Sequence, residues 1–262
     1  GNKTSQTDPL GHTTATTYDG NGNALTVTDP AGNTEHRAYD AAGRLVSLTD
    51  KLGKVTTLTY STVGNGRKVA SRTDPAGNVT SHDYDLMGNV LKTTHPDGAV
   101  ETKTYDAEGR VLTDTNRDGH TTVYQYDVLG RKTRTTHPGG AFTQATWDAA
   151  DRMLTQTDER GNVTTYAYAP SQTTITDPLG HAAIHEFDSQ RRRIKLTDAL
   201  GRVTAYEYDR LDRRRATDDA LGVRYSMAYD AVGNLLAQTD GLGHETQYVY
   251  DALNRVISMT QP

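Results

Sequence analysis

Polar and apolar positions alternate along this chain in short runs. Thr122-Val123-Tyr124-Gln125-Tyr126, Thr204-Ala205-Tyr206-Glu207-Tyr208 and Thr246-Gln247-Tyr248-Val249-Tyr250 each place Thr, Tyr and Tyr on one side. A period of two is the pattern of a β-strand. Turn signals interrupt the pattern about every ten residues, so no stretch is long enough for a typical helix. The expectation is roughly two dozen short strands, paired antiparallel in sequence order.

The runs belong to a repeat that fills the whole chain, and a repeat of this regularity takes precedence over any local motif. An aromatic, usually followed by Asp, leads each of twelve units: Tyr18, Tyr39, Tyr60, Tyr84, Tyr105, Tyr126, Trp147, Tyr168, Phe187, Tyr208, Tyr229 and Tyr250. Successive spacings are 21 residues except for 24 after Tyr60 and 19 after Tyr168. Trp147 and Phe187 keep a ring without the phenol, so the position is expected to select a large flat side chain more than a hydroxyl. Cross-strand packing is the expected role of these aromatics, as the main stabiliser of a sheet with little second layer. A stacking platform for sugars is the alternative.

Each unit carries two Asp-x-x-Gly elements about ten residues apart, such as Asp29-Pro30-Ala31-Gly32 and Asp40-Ala41-Ala42-Gly43. Asp caps backbone N–H groups, Pro fixes φ and Gly adopts positive φ, which together specify a tight turn. Asp151, Asp212 and Asn254 replace the glycine with residues that tolerate the left-handed region. Two paired strands of equal length contribute an even number of residues. A 21-residue unit therefore requires two turns of different type, or a bulge in each unit. Unequal turns are the expectation. The long third unit expands through Gly64-Asn65-Gly66-Arg67, read as a longer hairpin loop, and the short eighth contracts at Ala169-Pro170-Ser171-Gln172.

Composition changes the picture in one respect. Apolar residues make up 34%, with 15 Tyr but two Phe and one Trp. A domain with a deep two-layer core has more, while a disordered chain lacks both aromatics and periodicity. An ordered but thin structure fits both facts. At ~4.8 Å per strand, two dozen strands make a ribbon roughly 115 Å wide. Open sheets beyond about ten strands curl, so a curved wall or spiral is expected. No composition shift divides the chain, which reads as a single array over 1–262. It opens and closes in mid-pattern, as a fragment of a longer array would.

The net charge is -5 and there is no cysteine. The first excludes a global basic footprint for nucleic acid; the second excludes disulfides, thiolate zinc sites and cysteine nucleophiles. No apolar segment follows Gly1-Asn2-Lys3-Thr4-Ser5, so neither a signal peptide nor a membrane span is expected. No nucleophile elbow or phosphate-binding glycine loop is present, and neither enzymatic activity nor a cofactor is expected. His12, His120, His181 and His244 follow turn glycines and recur by phase. His181 and His185 would lie about 13 Å apart on a strand, too far to share a metal. The turn aspartates lack the spacing of a calcium β-roll.

The pattern Tyr-Asp-x-x-Gly-Arg, an apolar pair, Thr-Asp-x-x-Gly and Thr-x-Tyr-x-Tyr-Asp resembles the YD repeat of the Rhs family. That group includes bacterial Rhs polymorphic toxins, insecticidal toxin complexes, wall-associated bacterial proteins and animal teneurins. Tyr39-Asp40-Ala41-Ala42-Gly43-Arg44-Leu45 and Tyr229-Asp230-Ala231-Val232-Gly233-Asn234-Leu235-Leu236 match almost throughout. The resemblance covers the whole chain. It implies an all-β fold of tandem antiparallel hairpins in a single-layer sheet, wound into part of a hollow shell. It also implies the partners: further shell segments, an enclosed C-terminal toxin domain and secretion-apparatus proteins, in a parent secreted or delivered from a bacterial cell. The family's terminal core segment and Asp-Pro-x-Gly-Leu cleavage signal are absent. Asp8-Pro9-Leu10-Gly11 and Asp177-Pro178-Leu179-Gly180 sit on the repeat's phase and read as turns. A cell-surface adhesin or carbohydrate-binding module is the alternative function.

One local anomaly stands apart from the repeat. Arg191, Arg192 and Arg193 are followed about one period later by Arg213, Arg214 and Arg215. Residues one period apart lie roughly 10 Å apart on one face, so the two triplets stack near one rim, with Asp209, Asp212, Asp218 and Asp219 nearby. A solvated, partly paired edge is the plain reading. Contact with an acidic cargo or a neighbouring segment is the sharper one.

Overall fold

The structure, a computed structural model, describes residues 2–64 and 66–262. Gly1 and Asn65 lie outside that description, and with Asn65 the Asn-Gly reading of the third unit's loop. Among the described residues there are 25 strands and no helix. The chain forms two compact units, Gly1–Ala141 and Phe142–Pro262.

In the first unit a three-residue strand, Ser5–Thr7, is followed by alternating strands of six and five residues. Thr13–Tyr18, Ala24–Thr28, Thr34–Tyr39 and Leu45–Thr49 set the rhythm, which continues to Lys132–Thr136. Each strand pairs antiparallel with the next. The second unit runs in the same way from Phe142–Trp147 to Val256–Thr260. The all-β hairpin fold expected from the alternation is what the chain adopts.

Both turns of a unit are the same turn, which corrects the expectation of unequal ones. Asp19 N–H donates to Asn23 O at 2.9 Å and Gly22 N–H to Asp19 O at 3.1 Å. Asp29 N–H donates to Asn33 O at 3.0 Å and Gly32 N–H to Asp29 O at 2.9 Å. Each is a three-residue loop closed by a glycine at positive φ, the geometry that needs Gly because a Cβ would meet its own carbonyl.

The residue that makes the unit odd lies elsewhere. Thr17 pairs with Thr26 and Tyr18 with Ala24, leaving Leu25 as the extra residue of a bulge. The same shift falls at Tyr39, Tyr60, Tyr84, Tyr105, Tyr126, Trp147, Phe187, Tyr208, Tyr229 and Tyr250. Each of these aromatics is the last residue of its strand. The apolar pair after Gly-Arg therefore supplies two residues opposite one aromatic.

The 19-residue unit confirms this count. Tyr168 pairs with Thr173 and Ala169 with Gln172 across the two-residue turn Pro170-Ser171, with no shift. One turn residue and the bulge residue have gone together. Losing two residues preserves the alternation of faces, whereas losing one would invert it.

The sheet has almost no interior. Among the described residues only Ala216, 1% exposed, is buried. Strands such as Thr13–Tyr18 and Val163–Ala169 alternate strictly between half-buried and exposed, as a single layer must. Hydroxyl pairs bridge neighbouring strands at Thr17–Thr26, Thr104–Thr113 and Thr146–Thr155, with Oγ1 separations of 2.6, 2.7 and 2.6 Å. Such cross-strand pairs take over part of the work a second layer would do.

Candidate functional site

The repeated side chains form a staple that joins each hairpin to the next. The turn aspartate comes first. Asp40 Oδ1 accepts from Ala42 N–H at 2.9 Å and Arg44 N–H at 3.0 Å, as capping requires. Its Oδ2 accepts from Arg44 Nε at 2.7 Å. The guanidinium so held lies 4.7 Å from the ring centre of Tyr60 in the next unit, and its Nη1 donates to Gly66 O. Tyr60 closes the circuit, its hydroxyl donating at 2.7 Å to Leu45 O. Leu45 is the bulge residue paired with Tyr39.

The circuit recurs along the array. Arg110 is held by Asp106 at 2.6 Å and lies 5.0 Å from the Tyr126 ring, whose hydroxyl donates to Val111 O at 3.0 Å. Arg152 lies 4.4 Å from the ring of Tyr168, and Tyr168 donates to Met153 O at 2.8 Å. Where the arginine is replaced, Asn23, Asn89 and Asn234 donate to the same carboxylate oxygen. His12, His181 and His244 place Nδ1 3.0–3.1 Å from it. The histidines thus substitute for arginine in turn capping.

Tyr18, Tyr60, Tyr84, Tyr105, Tyr126, Tyr168, Tyr208, Tyr229 and Tyr250 all donate to the carbonyl fifteen residues earlier. The position therefore uses its hydroxyl as well as its ring, contrary to the expectation drawn from Trp147 and Phe187. Bulges leave backbone groups without ladder partners, and the tyrosine satisfies one of them. The signal was present in the sequence as Gly-Arg recurring sixteen residues before the next aromatic. Tyr126→Phe is expected to cost about 1 kcal/mol, the net worth of one such bond, read as a lower urea midpoint at unchanged slope.

The turn carboxylates, in these circuits and at the other turn of each unit, are held charged. The Lys51 ammonium donates to Asp29 at 2.9 Å and, with Asn33, lowers its pKa to about 2. Arg44 holds Asp40, Arg131 holds Asp127 and Arg202 holds Asp198 below the usual carboxylate range. Asn78 and Asn162 do the same to Asp74 and Asp158.

The two arginine triplets are divided by the fold rather than gathered on one rim surface. Arg191 is the turn residue at φ 66°, where a Cβ costs roughly 1–2 kcal/mol. It fills the place glycine takes elsewhere, a substitution not expected from sequence. Arg192 and Arg213 are staple residues, bound to Asp188 at 2.7 Å and Asp209 at 2.6 Å and stacked on Tyr208 and Tyr229. Arg192 also pairs with Asp212 at 2.7 Å. Arg215 pairs with Glu207 at 2.9 Å. Arg193 and Arg214 occupy the bulge position normally held by an apolar residue, opposite Phe187 and Tyr208. Asp8-Pro9-Leu10-Gly11 and Asp177-Pro178-Leu179-Gly180 are ordinary turns of the repeat.

Identical turns, a bulge at the aromatic and the Asp–Arg–Tyr circuit between units define a YD/RHS repeat protein. The Teneurin YD-shell family model matches residues 3–194, and the RHS Repeat model matches residues 192–224 and 229–262. The chain belongs to the Teneurin YD-shell family. Two crystal structures share its fold. That of TcdB2-TccC3-TEV aligns at 18% identity with a TM-score of 0.53, covering 100% of this chain and 16% of the other. That of TcdB2-TccC3 without its hypervariable C-terminal region aligns at 15% identity with a TM-score of 0.50, covering 97% and 19%. This chain thus spans under a fifth of either. Among curated proteins no match is found.

Proposed function

We propose that this chain is a wall segment of an Rhs-type toxin shell, one that encloses a C-terminal toxic domain and helps deliver it from a bacterial cell. The observation that carries the reading is the nearly coreless sheet of the shell family, in which one of the described residues is buried and coherence comes from staples between neighbours. A strip whose units bind mainly their neighbours extends by adding units, which suits a wall better than a binding pocket. The proposal assigns the chain no catalytic step. Its partners are further shell segments, the enclosed domain and secretion-apparatus proteins. The repeat aromatics serve it as packing and coupling groups.

Limited proteolysis of the complete gene product tests the reading. A compact domain encoded beyond Pro262 should stay intact within the whole protein and be cut at the same protease dose when made without the repeats. Equal digestion in the two forms overturns it. Glycan capture by the 262-residue chain, without such protection, would mark an adhesive surface instead.

A further inference from the structure

The two faces of the second unit treat charge differently. On one face every arginine and lysine of the central strands has a carboxylate: Lys195 with Glu186 at 2.8 Å, Arg215 with Glu207 at 2.9 Å, and Arg224 with both Glu207 and Asp218 at 2.9 Å. On the tyrosine face Arg193 and Arg214 have no carboxylate partner among the described residues. Their guanidinium carbons instead lie 4.9 and 6.0 Å from the ring centre of Tyr206.

Arg193 is further held by Nη2 donating to the Tyr206 hydroxyl at 3.4 Å and Nη1 donating to His185 Nδ1 at 3.4 Å. Burial and the nearby Arg193 lower the pKa of His185, so it accepts this contact without adding charge. Stacking on an aromatic fixes a guanidinium in orientation; Arg214 keeps its N–H edge for a planar oxyanion, and Arg193 keeps the N–H groups not given to Tyr206 and His185.

Beside Arg214 the same face holds a cavity of about 450 Å³ lined by Thr217, Tyr225, Met227 and Gln238. Thr217 pairs with Tyr225, and Met227 with Gln238, across neighbouring strands. The cavity is open to solvent and its lining is more apolar than polar, with a volume in the range of ligand pockets.

We propose that Arg193, Tyr206 and Arg214, with the Thr217–Tyr225–Met227 cavity, form a recognition site for an acidic peptide segment. It would take carboxylate side chains on the two guanidiniums and an aliphatic or aromatic side chain in the cavity. Charge selects this occupant. Arg193 and Arg214 are the cations that lack a carboxylate at this site, and Asp240, which also lines the cavity, has its carboxylate turned to the N–H groups of Leu242 and His244 and to the His244 ring. A nucleic acid needs a continuous basic track, whereas a short segment can set one or two carboxylates on the guanidiniums and an apolar side chain in the cavity. The site lies wholly within the second unit and stands whether or not the chain walls in a toxic domain.

Fluorescence anisotropy with the 262-residue chain tests the site. The probe is a labelled peptide alternating glutamate with leucine and phenylalanine, beside a counterpart with glutamine for glutamate. The acidic peptide should bind and the glutamine peptide should not. The double variant Arg193→Gln/Arg214→Gln should weaken binding by about tenfold or more, and Arg224→Gln, on the opposite face, should leave it unchanged. Met227→Glu, which supplies a carboxylate from the cavity itself, should abolish binding with both arginines in place. Absence of binding, equal loss in Arg224→Gln, or tighter binding of a labelled oligouridylate overturns the proposal.

Discussion

Tyr126→Ala is expected to lower the stability of the chain by about 2–3 kcal/mol, near the lower end for truncating a large aromatic because the ring is half-buried. The loss has three parts. The ring covers the bulge of the preceding unit. Its hydroxyl bond to Val111 O, 3.0 Å, is worth about 1 kcal/mol. The Arg110 guanidinium, 5.0 Å from the ring centre, contributes roughly 0.5–1 kcal/mol at an exposed site. Urea unfolding of Tyr126→Ala, Arg110→Ala and the double variant should therefore give a coupling energy of about 0.5–1 kcal/mol. Additive losses would show that the stacked arginine and the ring act independently. Because coupling in repeats runs between nearest neighbours, hydrogen exchange should rise first in the strands Val111–Thr115 and Thr121–Tyr126.

Acid should unfold the protein over a window set by its turn aspartates. Asp29, Asp40, Asp74, Asp127, Asp158 and Asp198 all have folded pKa values below the ordinary carboxylate value. A carboxyl that is more acidic folded than unfolded stabilises the fold fully above its unfolded pKa, about 3.9. That stabilisation is lost as pH falls through the folded value, which for Asp29 is about 2. Each group keeps part of its surface in solvent, so its own share is screened and modest. The effect comes from repetition, since the same carboxylate caps the same turn in nearly every half-unit. Far-UV circular dichroism should be constant from neutrality to about pH 4 and fall between about pH 4 and 2. A fold unchanged at pH 2 would show that backbone pairing alone holds the turns.

Sequence alone made strands, turns and their order legible. Alternation at period two can bury only one face of a strand, and Asp-x-x-Gly every ten residues closes only tight turns. The count of about two dozen strands, against 25 among the described residues, follows from that punctuation. Parity required an irregularity but did not locate it. A bulge and an unequal turn add the same single residue, and choosing between them needs the partner strand. Trp147 and Phe187 misled about the hydroxyl, because the carbonyl it binds lies in a different hairpin.

The tertiary structure also divided what the sequence grouped. Arg191, Arg192 and Arg193 are consecutive, yet one is a turn residue, one a staple and one a bulge residue on the tyrosine face. In a sheet, neighbours in sequence point apart while residues one period away stand side by side. Charge along the chain therefore says little about charge on a surface. The sequence by itself determined what each unit is, since local backbone chemistry sets turns and strands. Only the paired structure decided how units hold one another, because each circuit joins the aspartate and arginine of one turn, and the carbonyl just after them, to a tyrosine of the next unit.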